Sequence, residues 1–416
     1  MSHSSPSAPP VTVALVDPVW VGHHATYFRA FIEAFIETGA RVIAVCPQPG
    51  DLQDLAETHP ESLIVGELED VGESLLFRGR DHDPFRTYRR WQLASDAISN
   101  LEESSEWSID FVFFAWLDSY LRFMISSGLA DRILGRPWTG LYFRNQHLSE
   151  AATSILTRVK QRLKGDFIMR SPECRLISGV DEHALPHVES YTNKPVLLMP
   201  DITDETKGDP DAPLAKRIRE QAAGRKIVGM VGLEKRKGFL TLLRVARQAH
   251  QNGDPWFFAF TGALWWETFS STEVAWVRDY LATAPDNIYL DPEAGMVPDG
   301  AVYNGVAATF DIFFAAYLNS LYNGSSNVLT KAALLKRPVI VTEGACLEDR
   351  ANQFRIGLSI PEGDDARCHD AIKSLLQGVD WEGQPLRPRY DDYFARHSHE
   401  KLVENVRTMI SAATAS

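Results

Sequence analysis

Three short polar clusters in this chain carry residue types that can do chemistry. The first is Lys235-Arg236-Lys237-Gly238, set between an apolar run and a helical pattern. Cations at a helix start are disfavoured by the helix dipole unless something anionic sits beside them. The second is Gly324-Ser325-Ser326-Asn327, followed by a helical pattern from Val328 to Leu335. Glycine lets the backbone approach a ligand, and Ser or Asn can cap a helix start. The third is Gly22-His23-His24, in the loop between the first strand and the first helix. Adjacent histidines there can donate to phosphate or act as acid or base near neutral pH; the plainer alternative is a surface turn with one capping histidine. A metal site is less well supported, since no third ligand with suitable spacing is visible.

Other residues carry weaker signals. Asp118 ends an apolar strand, where a carboxylate is either a base or a helix cap. Phe143-Arg144-Asn145-Gln146-His147 follows another strand; Arg144 cannot be a base but can clamp an anion. Glu343 and Glu348 follow the last core strand, and Trp265-Trp266 can stack on a base or sugar or plug an interface. Arg158, Lys160, Arg162 and Lys164 surround an apolar stripe, a pattern of a solvated helix face or of weak contact with anionic lipid or acceptor. His183 and His187 flank Pro186 and suggest no metal geometry.

The elements that must hold these residues alternate regularly. Val11–Val16 is a β-branched apolar run, and Tyr27, Phe28, Phe31, Ile32, Phe35 and Ile36 recur at helical spacing before Gly39. Arg41–Cys46 is the next strand, which makes a parallel strand–helix–strand unit. Asp110–Ala115, Trp138–Phe143, Arg175–Ser178 and Val196–Met199 continue the series. The polar stretch 201–213 holds two prolines and reads as a linker. A second series follows: strands Lys226–Val231, Trp256–Thr261, Asn287–Leu290, Ile312–Phe314 and Pro338–Thr342, a helix Phe239–Ala249, and a terminal helix from about Asp392. The pattern predicts two doubly wound α/β domains facing across a cleft, with ligands beyond the carboxyl ends of the strands. The expected division is a leader at 1–10, a first domain at 11–200, the linker at 201–213, a second domain at 214–390 and a C-terminal helix at 391–416.

Composition narrows the class. The chain has 416 residues, 44% apolar and 23% charged, enough for two or three domains of roughly 100–200 residues. With 42 basic and 55 acidic residues the net charge is −13, which argues against a nucleic-acid coat. The four cysteines, Cys46, Cys174, Cys346 and Cys368, form no CxxC pair and read as reduced, buried thiols of a cytoplasmic protein. No apolar run approaches the ~18–20 residues of a membrane span, and the opening residues lack the apolar core of a signal peptide.

The second half also carries an ordered series: Met230–Gly238, Thr261-Gly262, Asp286–Asp291, Phe310–Phe314, Asn323–Ala333, Lys336–Val341 and Gly357–Gly363. In order and spacing it resembles the nucleotide-sugar domain of the large retaining glycosyltransferase family with the GT-B fold (family 4, or group 1). The resemblance covers residues 226–364 well and the first domain loosely, through Gly22. It implies a nucleotide-diphosphate sugar as donor substrate, no cofactor and no metal, and retention at the anomeric carbon with the donor phosphate helping to deprotonate the acceptor. Arg236 and Lys237 would face the donor phosphates, and the helix start at Ser325, Ser326 and Asn327 would cradle the diphosphate. Gly22, His23 and His24 would close around sugar and acceptor. Arg144 stands where the family often has a catalytic-site histidine, and Glu348 near a family glutamate. The terminal helix would pack back on the first domain.

The chain departs from that family at one motif. The family usually has two glutamates eight positions apart; Asn323 and Lys331 hold those places here. Lysine has no acceptor for hydroxyls, though it can pair with an extra phosphate or carboxylate. Two other readings stand beside sugar transfer, the first on the same fold and the second motivated by these replacements. One is a sugar-nucleotide epimerase using Asp118 with Glu348. The other is a non-catalytic binding or scaffold protein.

Overall fold

The apolar runs of the sheet centres become strands buried on both faces, as a sheet covered by helices on both sides requires, while the edge strand at 196–198 is half-buried to exposed. The computed structural model describes residues 9–20, 24–69, 85–122, 124, 126–144, 159, 163–298, 300–322 and 324–415. The chain divides into two compact units, residues 1–200 with 398–416, and residues 201–397.

Unit 1 runs β1 (Thr12–Val16), α1 (His24–Glu37), β2 (Arg41–Cys46), α2 (Gln53–Thr58), β3 (Leu63–Glu67), α3 (Arg86–Ser105), β4 (Phe111–Phe114), α4 (Ser127–Leu134), β5 (Trp138–Leu141), β6 (Cys174–Gly179), α5 (Leu185–Thr192) and β7 (Val196–Leu198). Its sheet is parallel, in the order β3-β2-β1-β4-β5-β6-β7. Alternate residues of β1 and β4 serve opposite layers. Ala14, Val16, Val112 and Phe114 pack with Trp91, Ala94 and Ile98 of α3. Phe113, on the other face, meets Phe31 and Phe35 of α1 at ring separations of 4.7 and 5.8 Å.

Unit 2 opens with residues 201–212, which carry no regular structure. It continues α6 (Pro213–Ala222), β8 (Lys226–Leu233), α7 (Phe239–Asn252), β9 (Trp256–Leu264), α8 (Ser271–Ala282), β10 (Ile288–Leu290), α9 (Ala301–Ala307), β11 (Ile312–Ala315), α10 (Val328–Leu334), β12 (Val339–Thr342), α11 (Cys346–Phe354), β13 (Gly357–Ile360), α12 (Asp365–Gln377) and α13 (Tyr390–Arg396). Its parallel sheet is ordered β10-β9-β8-β11-β12-β13. In both sheets the strand order reverses beside the first strand, between β1 and β4 and between β8 and β11. Those crevices are where doubly wound sheets bind ligands. A final helix, α14 (His399–Thr414), belongs to unit 1. There His399 pairs with Glu37 of α1 at 2.8 Å, and Asn405 donates to the Leu198 carbonyl of β7.

The terminal segment is thus two helices and not one: Ser398 accepts from the Lys401 N–H and starts α14 afresh. The edge strand β3 and the extension of β9 to Leu264 go beyond the sequence expectation, and several strand ends fall one or two residues short of it. All four cysteines are buried and unpaired by disulfides.

Candidate functional site

In unit 2 the β8–α7 loop is shaped by two glycines. Gly232 (φ +75°) lies where the β8–β9 register shifts, and a Cβ there would meet the Lys237 Nζ at 2.5 Å. Gly238 (φ +76°) precedes α7, and a Cβ there would come within 2.3 Å of the Ala316 carbonyl at the end of β11. Left-handed backbone and close approach both call for glycine. The loop therefore lies against the β8–β11 crevice.

The three consecutive cations have different partners. Lys235 holds Glu273 at 2.7 and 3.0 Å. Arg236 makes a forked pair with Glu234 at 2.6 and 3.1 Å, its guanidinium 5.0 Å from the Tyr322 ring centre. Burial works against the Arg236 charge, but Glu234 outweighs it and raises the pKa. Lys237 is half-buried and donates to the Val231 carbonyl at 3.3 Å. No carboxylate within the described residues pairs with it. Burial first, and the Arg236 charge after it, lower its pKa despite Glu234. An anion placed here would meet an ammonium that solvent screens weakly.

The second cluster is not the capped helix start that the sequence suggests. Asn327 precedes α10 in helical backbone (φ −64°, ψ −7°) and makes no side-chain cap. Ser326 Oγ lies 2.8 Å from the Tyr317 hydroxyl. Ser325 is buried and donates to the Asp201 carboxylate, while Gly324 begins the described part of this segment. Lys331 is buried on α10, with its ammonium on the Asp204 carbonyl and the Asn304 side-chain oxygen. Both are neutral acceptors, where the sequence allowed for a phosphate or carboxylate. Glu348 spends its two oxygens on the Gly344 N–H (2.6 Å) and the Ser359 hydroxyl (2.9 Å). Asn323 lies outside the described residues.

In unit 1, Asp17 and His24 bracket the β1–α1 loop. His24 Nδ1 sits 2.8 Å from Asp17 Oδ2, and both residues are buried. The imidazole stacks on Trp116 at 3.9 Å, and Trp116 stacks on Phe143 at 3.9 Å. With Nδ1–H donating to the carboxylate, Nε2 is left as an acceptor, the arrangement of an oriented general base. Asp118 accepts from the N–H groups of Phe143 (3.0 Å) and Arg144 (2.9 Å). Burial raises its pKa, opposed by the Arg144 charge and these amides. Asp118 thereby ties the exit of β5 to the turn after β4. Gly22, His23 and His147 lie outside the described residues, as do Arg158, Lys160 and Arg162.

Sequence reasoning missed the partners. Asp17 and His24 stand at the two ends of a strand-to-helix loop, and Glu234 and Arg236 lie within another, where neither the helical nor the strand period applies. Trp116 shows no pattern of its own.

No family model matches this chain, and no curated protein matches it. Solved structures do. A glycosyltransferase from Rickettsia africae is 12% identical with a TM-score of 0.62, covering 98% of this chain and 99% of its own. Sucrose-phosphate synthase from Thermosynechococcus elongatus is 14% identical with a TM-score of 0.67, covering 96% and 98%. HepE from Anabaena in complex with UDP is 11% identical with a TM-score of 0.62, covering 97% and 100%. These likenesses define the class: the chain has the two-domain α/β architecture of the GT-B glycosyltransferases. No helix among the described residues is long and apolar enough to cross a membrane.

Proposed function

We propose that this protein transfers a glycosyl group from a nucleotide-diphosphate sugar to an acceptor. The observation that carries the reading is Lys237 at the β8–β11 crevice, a desolvated ammonium that pairs with no carboxylate among the described residues. A diphosphate needs that kind of group, and cleaving the sugar–phosphate bond builds more negative charge for it to stabilise. Similar folds solved with UDP and with UDP-glucose support a nucleotide sugar as the ligand. Arg236 and the backbone of Ser325–Asn327 would complete the phosphate side. Gly22, His23 and His24, with Arg144, would face sugar and acceptor. The family resemblance favours retention without a metal, and the reduced thiols suit a cytoplasmic protein.

One observation favours a second stereochemical course. The Asp17–His24 pair can take a proton from an acceptor hydroxyl, which suits direct displacement with inversion. Turnover of UDP-, GDP-, ADP- and TDP-sugars, with and without mixed acceptors, tests the reading. Transfer requires acceptor, epimerisation does not, and a scaffold turns over nothing. Proton NMR of the fresh product distinguishes retention from inversion.

A further inference from the structure

Asp201 and His397 are the first and last residues of unit 2, and they meet in its interior. The Asp201 N–H donates to His397 Nδ1 at 2.9 Å, and the Thr330 hydroxyl donates to the Asp201 carbonyl at 2.6 Å. The Asp201 carboxylate accepts from Ser325 Oγ and, at 3.3 Å, from Arg350 Nη1. Arg350 Nη1 also reaches Ser325 Oγ at 2.5 Å. Asp201 and Arg350 are each 2% exposed and Ser325 is 7% exposed. Apolar residues of similar volume in place of a buried ion pair are often at least as stable. What this pair adds is a fixed place for Ser325, whose hydroxyl lies within hydrogen-bond reach of both partners.

We infer that Asp201 and Arg350 are positioning residues: they clasp Ser325 and so hold the backbone of 324–327 where it can receive an anionic ligand. The inference rests on the reading that the diphosphate lies beside Lys237 and this segment. Ser325 then acts through its backbone, because its hydroxyl is already spent inside the protein. The clasp joins the loop to both points where the chain passes between units.

The test is titration of the full chain with UDP, GDP, ADP and TDP by calorimetry, alongside thermal melts. Variants are Lys237→Ala, Asp201→Asn, Arg350→Met and Arg350→Lys. The expected result is a nucleotide affinity about tenfold or more weaker in Asp201→Asn and Arg350→Met, measured well below their melting temperatures, with partial recovery in Arg350→Lys. Binding lost in Lys237→Ala but unchanged in folded Asp201→Asn and Arg350→Met overturns the clasp and leaves the diphosphate reading intact. Wild-type protein that binds none of the four nucleotides overturns both.

Discussion

Residue by residue, ligand binding depends on which polar groups still have capacity to spare. The triplet Lys235-Arg236-Lys237 announces a cationic loop in the sequence, but not which cation faces a ligand. That depends on Glu273, 38 residues from Lys235, and on Glu234, neither of which a spacing rule links to its partner. Lys237→Ala should lower kcat/KM by about 10²–10³, the usual cost of removing one preorganised cation or donor from developing charge; Lys235→Ala, already paired with Glu273, should change it little. Steady-state kinetics with the active donor checks this. Asp17→Asn keeps the shape but favours the wrong His24 tautomer. With His24 as the base, kcat should fall about 10²–10⁴-fold. An unchanged kcat would assign the pair to structure alone.

At the scale of elements, most of the fold was legible because the strands are apolar runs and the helices carry strong periodicity. The edge strand β3 was not, since its middle residues are only half-buried and Gly66 interrupts it. The break between α13 and α14 was hidden because apolar spacing continues across it from Tyr393 to Leu402; only the Ser398 cap marks it. The helix start at Asn327 misled for the opposite reason. A residue type suited to capping stands there in helical backbone, and the neighbouring serines are drawn off by Asp201 and Tyr317. Two stability measurements probe this level. Phe31→Ala opens the α1–β4 layer and should cost about 3–5 kcal/mol by denaturant melts. Ser270→Ala removes the capping box of α8 and should cost about 1 kcal/mol.

At the scale of the whole molecule, a buried histidine links stability to pH. Burial first, then Arg350 and Arg396, hold His397 well below its ordinary pKa of 6.5. The folded state therefore favours neutral imidazole, which accepts the Asp201 N–H. Its contribution is complete above pH 6.5 and declines as pH falls below that value, because the unfolded chain takes up the proton first. Between pH 6.5 and 5 stability falls with pH, by at most about 1.4 kcal/mol per unit from this residue. His397→Gln should flatten that slope in melts across the window. The two-sheet architecture sets the Lys237 ammonium, which pairs with no carboxylate among the described residues, at the β8–β11 crevice. The most direct test is a thermal-shift panel of UDP, GDP, ADP, TDP and their common sugars, run on the wild-type chain and on Lys237→Ala. One nucleotide at about 100 times its dissociation constant should stabilise the wild type by about 2.7 kcal/mol and leave Lys237→Ala unmoved. No shift with any of them, on folded protein, would contradict the account.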